Sequence, residues 1–591
     1  MEEERIKQIT SEIDDCTKLR EEIYQAVLKN GGHLSSNLGV IELTYSLVKK
    51  FDPFSNDYLF DVGHQTYAFK LLTGRKLDTL REINGVAPFS SRKESKADRY
   101  DNGHSGDSIS TAIGMAISKK LKGDESYTIC IIGDSSLNNG LALEALSVLG
   151  RRKDLTRFIL VVNTNSMAIK ENDDRRSLLM KRFKEKKMSE LSSLDYSKVD
   201  ENKYVNDSIM ESLEFSKTAH TFEHYNELGL NYMGPYNGHD LLLLDHVLED
   251  AKKKSEEGPL VLEILTVKGH GLKAAEDDHL GYYHGVKADL LSEKKTTFST
   301  LKEELLNQIL SKSKKSYLIT PAMETNSCLN SLFNKYPDCT LDVGIGEEDA
   351  IAIASGLALK GYFPYIDIYS TFLQRGIDET IENISRQRLS VCYLLERASL
   401  VGEDGESHHG IYDVSLLRGI PNKRVYQPFD ETSLEYLLLN KAEEKETAVF
   451  IRLSKEEEIE KSSVSITLPL TYIKKEDNDT LVLAVGPLGY QLLKELEIKA
   501  DKAMLVEILS SDLSCLLKYK NIYFYDPYSI EKGTCSHLKE FLFDYRYKGE
   551  FNYLTLKNEF VTFGKNKDLY DSLGMSVKDA IKYLKNLPQK E

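Results

Sequence analysis

The sequence predicts an α/β protein made of three consecutive α/β domains with mostly parallel sheets. Three observations predict it. Short β-rich runs alternate with stretches whose apolar residues recur at helical spacing, the mark of repeated strand–helix–strand units. Two polar joints, SKSKKS at 311–316 and KKEDND at 474–479, divide that pattern into three. A chain of 591 residues is also too long for a single hydrophobic core.

The first domain is expected over 1–310. Its clearest unit has strands at 127–132 and 158–162, and between them Leu141, Ala142, Ala145, Leu146, Val148 and Leu149 recur as one face of a helix. Sheets of this kind bind ligands at the carboxyl ends of their strands, and Asp134 lies at such an end. The highly charged stretch near 170–202 reads as a solvated, mobile insertion or an amphipathic helix. A strand is expected again at 260–267. The second domain, 316–470, carries strands at 362–368, 391–395 and 448–453, and the third, 478–591, at 481–485, 504–508 and 522–525. No fixed-period repeat or low-complexity tract interrupts the pattern.

Composition narrows the function classes. A formal net charge of -16 argues against nucleic acid as a partner, since phosphate backbones are held by clustered Lys and Arg. An anionic ligand must therefore be held by local donors, helix N-termini or a metal. The seven cysteines form no CxxC pair, as expected for a reduced, cytoplasmic chain. The opening MEEERIKQIT is acidic where a signal peptide is basic and then apolar, and no apolar run approaches membrane-span length. A soluble protein with no membrane partner is expected.

The stretch IIGDSSLNNG (131–140) passes from an apolar run straight into Asp134, Ser135 and Ser136. Asn165 closes the next strand, in VVNTNSMAI, followed by Met167. A carboxylate, an amide oxygen and the Met167 carbonyl are hard oxygen donors of the kind Mg²⁺ favours, its shell completed by ligand phosphate and water. Spacing alone leaves a second reading open, in which Asp134 and Asn165 cap helices.

Longer motifs accompany this pair. They are GGHLSSNLGVIELT (31–44), DVGHQTYAFKLLTGR (61–75), NGHSGDSIS (102–110), NYMGPYNGHD (231–240) and KGHGLKAAEDD (268–278), then YSTFLQRGID (369–378) and ERASLVGEDGESHHGIYD (396–413). In these the chain resembles the 1-deoxy-D-xylulose-5-phosphate synthases, thiamine-diphosphate enzymes of the transketolase superfamily, over nearly its whole length. The resemblance implies a transketolase-like fold and decarboxylative condensation of pyruvate with glyceraldehyde 3-phosphate. Thiamine diphosphate and Mg²⁺ as cofactors, and a homodimer, are implied with it.

Carried over residue by residue, the resemblance places Asp134, Asn165 and the Met167 carbonyl on the metal. His64, Gly103, His104, Ser105, Ser135 and Ser136 fall on the diphosphate and thiazolium side. Glu347 matches the carboxyl that contacts the aminopyrimidine ring, with Phe372 stacking on that ring and Leu272 beside the cofactor. His33, His284 and His408 match histidines that move protons and orient substrate. Asp404 matches an acceptor-hydroxyl contact, and Tyr369, Arg397 and Lys455 match the substrate side. Four positions depart from the family pattern: Ser135 stands for glycine, Asp349 for histidine, Leu272 for an aromatic residue and Lys455 for arginine. These departures leave room for another phosphorylated aldehyde as acceptor, in a related ketol or acyloin transferase, or for a degenerate cofactor-binding protein.

Overall fold

The computed structural model describes residues 3–165, 175–278, 281–286, 295–455 and 458–586. The chain divides into two compact units, Met1–Leu290 and Leu291–Glu591.

The first unit holds one five-stranded sheet: β1 (Asp57–Phe60), β2 (Thr128–Gly133), β3 (Phe158–Thr164), β4 (Asn231–Asn237) and β5 (Leu260–Leu265). The spatial order is β1-β2-β3-β5-β4 and every pairing is parallel. β3 and β5 are buried along their whole length, as central strands of a parallel sheet covered on both faces must be. One face packs Phe60, Ile129, Ile131 and Leu262 against Leu244 and Val247. The other packs Cys130, Ile132, Leu160 and Val162 against the helix Gly140–Gly150. The strands expected at 127–132 and 158–162 and the helix between them are thus present within a residue or two.

The second unit holds two sheets. β6 (Ser316–Thr320), β7 (Thr340–Asp342), β8 (Phe363–Tyr369), β9 (Val391–Glu396), β10 (Lys423–Tyr426) and β11 (Ala448–Leu453) form one, in the order β10-β11-β9-β8-β6-β7, all parallel. β12 (Leu470–Lys474), β13 (Thr480–Ala484), β14 (Asp501–Leu505), β15 (Asn521–Ile530) and β16 (Glu550–Leu556) form the other, in the order β12-β14-β13-β15-β16. Here β12 is an antiparallel edge on otherwise parallel pairings. One apolar cluster runs through both sheets, from Ile319 and Ile366 to Leu483 and Phe524. Arg452, fully buried, joins them further: it pairs with Asp413 at 2.7 Å, donates to Gln427 at 2.6 Å and reaches the Tyr528 carbonyl at 3.0 Å.

Three local expectations need adjusting. The helix Phe298–Lys312, grouped above with the first region, belongs to the second unit, where Lys302 is buried against Asp367 and Glu396. The third sheet begins at β12, ahead of the charged joint. β14 starts three residues before its apolar run, because its two charged residues are both satisfied. Asp501 accepts the Glu476 and Asn478 N–H groups at 2.9 and 3.1 Å, and Lys502 donates to the Leu493 carbonyl at 3.0 Å. The charged stretch after Asn165 contains the helix Arg175–Ser192. Met180 and Phe183 anchor that helix, Phe183 stacking on Phe215 at 4.0 Å, so it is an amphipathic helix with a buried face. Among the described residues no helix is long and apolar enough to cross a membrane.

Candidate functional site

Each unit carries its own cluster of candidate functional side chains. In the first, the strand order sets β1, β2, β3 and β5 side by side, so their carboxyl ends deliver Asp61–His64, Asp134, Asn165 and Lys268 to one edge. Residues distant in sequence meet there.

Asp134 opens the short helix Asp134–Leu137, and its Oδ1 accepts the Ser135 N–H at 3.1 Å. Capping of the following helix falls to Asn139, whose side chain accepts the Leu141 N–H at 3.2 Å. Ser135 is helical, with negative φ, so it carries no strain that glycine would relieve. The loop with Gly103, His104 and Ser105 is held from both ends. Asn102 Oδ1 accepts the Gly103 and His104 N–H groups at 2.7 and 3.2 Å. Gly106 donates to Asp61 at 2.8 Å and has φ +92°, and a Cβ there would lie 2.6 Å from Asn139 Oδ1. Ser108 also donates to Asp61, at 2.7 Å. Burial pushes the Asp61 carboxyl up to about 6, against the bonds from Ser108 and Gly106. The loop is thereby pressed against the segment that carries Asp134, Ser135 and Ser136.

His33, His64 and His284 form a triangle, with ring centroids 5.4 to 5.6 Å apart. Its brace is Asn37, fully buried. The Asn37 amide donates to the His33 carbonyl at 2.6 Å and the His64 carbonyl at 2.7 Å, and its oxygen accepts the Tyr67 N–H at 2.8 Å. Ser36 Oγ lies 3.3 Å from His284 Nδ1. Gly32 must be glycine, since at φ +143° a Cβ would meet Tyr67 Oη at 2.8 Å. Asn165 is buried, and its carbonyl accepts from Lys184 at 2.7 Å. Lys268 is buried with its ammonium in the field of Asp134 and Asp278. Burial brings its pKa down to about 8, and the two carboxylates oppose that shift. Leu272 joins an apolar cluster with Tyr67 and Leu241, as a wall without a ring to stack. Met167 lies outside the described residues.

In the second unit Glu347 begins the helix Glu347–Leu359 and is only 4% exposed. Its Oε2 makes no hydrogen bond among the described residues, and the Arg375 guanidinium is 3.6 Å away. Burial raises its pKa while Arg375 lowers it, and the net direction is upward. Asp349, the departure two residues on, is exposed on the first helical turn, where a carboxylate complements the helix dipole.

Tyr369 and Phe372 stack with centroids 5.3 Å apart, and Phe372 meets His408 edge-on at 5.7 Å. Arg397 lies over the Tyr369 ring at 4.4 Å and pairs with Asp404 at 3.2 Å. Its φ of +55° is a backbone conformation costing about 1–3 kcal/mol outside glycine. Lys455 Nζ donates to the Val401 carbonyl at 2.6 Å, with Glu403 3.9 Å away. The two adjacent histidines separate in role. His409 is buried, accepting the Val401 N–H at 3.0 Å and donating to the Thr562 carbonyl at 2.9 Å, whereas His408 faces Phe372.

Sequence reasoning missed Asn37, Asp61, Lys184 and Lys268. Asn37, Asp61 and Lys268 stand inside the quoted motifs but announce nothing alone; Lys184 sits in a stretch that reads as solvated.

The 1-deoxy-D-xylulose-5-phosphate synthase family model matches residues 1–266, and that of the transketolase pyrimidine-binding domain matches 294–458. The chain is similar to a 1-deoxy-D-xylulose-5-phosphate synthase of Lysinibacillus sphaericus, with 32% identity over 601 residues, covering 95% of this chain and 93% of that protein. It is 34% identical over 591 residues to one of Clostridium botulinum, covering 94% and 93%. A transketolase from Leishmania mexicana is a looser likeness, at 16% identity, 97% and 96% coverage and TM-score 0.44.

Proposed function

The chain belongs to the 1-deoxy-D-xylulose-5-phosphate synthase family, and from that premise we propose that it condenses pyruvate with D-glyceraldehyde 3-phosphate, releasing CO₂ and giving 1-deoxy-D-xylulose 5-phosphate. Thiamine diphosphate and Mg²⁺ are the cofactors of this reading. The observation that carries it is the Glu347 carboxyl. Glu347 is buried at the start of its helix, burial raises its pKa, and its Oε2 makes no hydrogen bond among the described residues although the Arg375 guanidinium lies 3.6 Å away. A carboxyl so placed is available for a hydrogen bond with a ring nitrogen, free of the water that competes at an exposed site.

Thiamine diphosphate, when bound, supplies the acidic ring carbon that makes loss of CO₂ from a 2-keto acid possible. The residues fit the group. Asp134 and the Asn165 amide offer the hard oxygens a Mg²⁺ accepts, with Met167 the proposed third donor. The 102–106 loop, pinned between Asp61 and Asn139, holds His104 and Ser105 beside the segment that carries Asp134, and the Lys268 ammonium offsets diphosphate charge. His64, Ser105, Ser135 and Ser136 line the same edge. His33, His284 and His408 are assigned to holding and moving protons on the substrate. Arg397 and Lys455 receive the acceptor phosphate, Asp404 its hydroxyl, and Tyr369 and Phe372 supply the stacking wall.

One observation favours a second reading, transfer to another phosphorylated aldehyde. Lys455 replaces a planar fork by a point charge and has Glu403 at 3.9 Å, which weakens it as a phosphate ligand. Incubation of purified protein with both cofactors, pyruvate and a panel of aldehydes, with product identification, separates the two; no product from any aldehyde overturns both. Glu347→Ala is expected to lower product formation by about 10²–10⁴-fold with the fold retained by circular dichroism. Near-normal turnover in that variant removes the assignment. A homodimer and a cytoplasmic location go with this reading, and sedimentation of the purified protein tests the dimer.

A further inference from the structure

Glu42, His239 and His270 bring ligand-type atoms within 4.8 Å of one another in the first unit, a grouping that invites a metal. Their hydrogen bonds argue otherwise. His239 Nε2 accepts the Val267 N–H at 2.9 Å, so its proton sits on Nδ1, which donates to Glu42 Oε2 at 2.9 Å. Both nitrogens are spent. The other Glu42 oxygen takes the Arg20 guanidinium, which already supplies the positive charge. Burial opposes ionisation of Glu42, but the bonds from His239 and Arg20 prevail and hold its pKa down to about 2.

The ends of this buried chain land on the backbone either side of the Lys268–Gly269 pair. His239 holds the Val267 N–H, and Arg20 Nε donates to the His270 carbonyl at 3.0 Å. Lys268 and Gly269 lie between them. The Ser35 carbonyl accepts the Gly269 N–H at 2.7 Å, and a Cβ on Gly39 would meet the Val267 carbonyl at 2.8 Å, so the segment also packs closely against the backbone at 35–39. Lys268 leaves this fixed segment into the field of Asp134 and Asp278.

We propose that Arg20, Glu42 and His239 form a clamp that fixes the 267–270 backbone from which Lys268 projects, making all three positioning residues for cofactor binding. The inference rests on the functional reading above. The clamp touches neither cofactor nor substrate in that reading; it acts through the backbone on either side of Lys268. Its loss therefore weakens cofactor affinity and leaves turnover at saturating cofactor almost unchanged.

The experiment uses the full chain stripped of cofactor and titrated with thiamine diphosphate plus Mg²⁺, followed by calorimetry. His239→Leu removes both bonds, while His239→Gln keeps an acceptor for Val267 and a donor for Glu42. The leucine variant is expected to bind about tenfold or more weakly, and the glutamine variant to recover most of that loss. At saturating cofactor, kcat is expected to stay within about threefold of wild type in both. In parallel, competitive acetylation with mass spectrometry reads the accessibility of Lys268 without any cofactor. Lys268 is expected among the slowest lysines in wild type and His239→Gln, and several-fold faster in His239→Leu. Wild-type affinity and labelling in His239→Leu overturn the clamp, as does a folded His239→Gln that behaves like the leucine variant. Should the leucine variant fail to fold, Glu42→Gln, which loses the charge that holds Arg20 but keeps the shape, replaces it with the same expectations. If wild type itself binds no thiamine diphosphate, the functional reading falls, and the labelling alone decides the clamp.

Discussion

The two functional clusters are built on opposite principles. In the first unit, ligand groups leave the ends of adjacent parallel strands and are held through the backbone: Asn37 grips two carbonyls, Asp61 grips the Gly106 N–H, and His239 grips that of Val267. In the second, side chains hold side chains. Arg397 lies on Tyr369 and pairs with Asp404, Phe372 packs between Tyr369 and His408, and Glu347 faces Arg375. A backbone-held site depends on sheet topology and is expected to tolerate a changed side chain where φ allows, as at the helical Ser135. A side-chain-held site depends on each partner's identity, so single substitutions there change specificity.

The largest test of this contrast is Asp134→Ala. It removes a charge that no neighbouring backbone group replaces, and is expected to abolish Mg²⁺-dependent cofactor binding, about 10²-fold or more by titration with and without the metal. Unchanged metal dependence would take Asp134 out of the site. Arg397→Ala comes next. It is expected to weaken use of glyceraldehyde 3-phosphate by about 10- to 100-fold while an unphosphorylated aldehyde is used as before. Equal loss with both aldehydes would show that the side chain reads no phosphate. The opposite sign is expected for Glu403→Gln, which relieves Lys455 of a nearby negative charge. An improvement of a few-fold in apparent affinity for the phosphorylated acceptor is expected, since half-exposed ion pairs contribute about 0–1 kcal/mol.

Asp61 offers a test by pH. Its folded-state pKa of about 6, set by burial, exceeds its ordinary 3.8. The folded chain therefore binds this proton more tightly than the unfolded chain, and the group's contribution to stability falls as pH rises from 3.8 to about 6. Asp61→Asn is expected to lower the melting temperature overall and to flatten its slope over that window; a slope identical to wild type would contradict the assignment. The smallest effect belongs to Ser135→Gly, for which cofactor affinity should stay within a few-fold because a helical serine loses nothing to glycine there. A large gain in affinity on that change would mean the serine side chain blocks the diphosphate.

Sequence alone determined what is local. The alternation of apolar runs and helical periodicity gave the α/β class, because side-chain period follows directly from backbone geometry. Asp134 and Asn165 were legible as strand-end residues for the same reason, and the long motifs marked His33, His104 and Arg397. Tertiary structure decided what is not local. The order β1-β2-β3-β5-β4 departs from chain order, so no spacing in the sequence shows that Asp61, Asp134, Asn165 and Lys268 share an edge. The charged stretch near 170–202 left a solvated insertion and an amphipathic helix equally open, and only the burial of Met180 and Phe183 and the reach of Lys184 to the Asn165 carbonyl decide for the helix Arg175–Ser192. Likewise His408 and His409 look alike in sequence, and only the Thr562 carbonyl, 153 residues away, identifies His409 as the structural one. Hydrogen bonds and charge fields act over a few ångströms of space, and the chain separation of the groups they join is set by topology rather than by pattern.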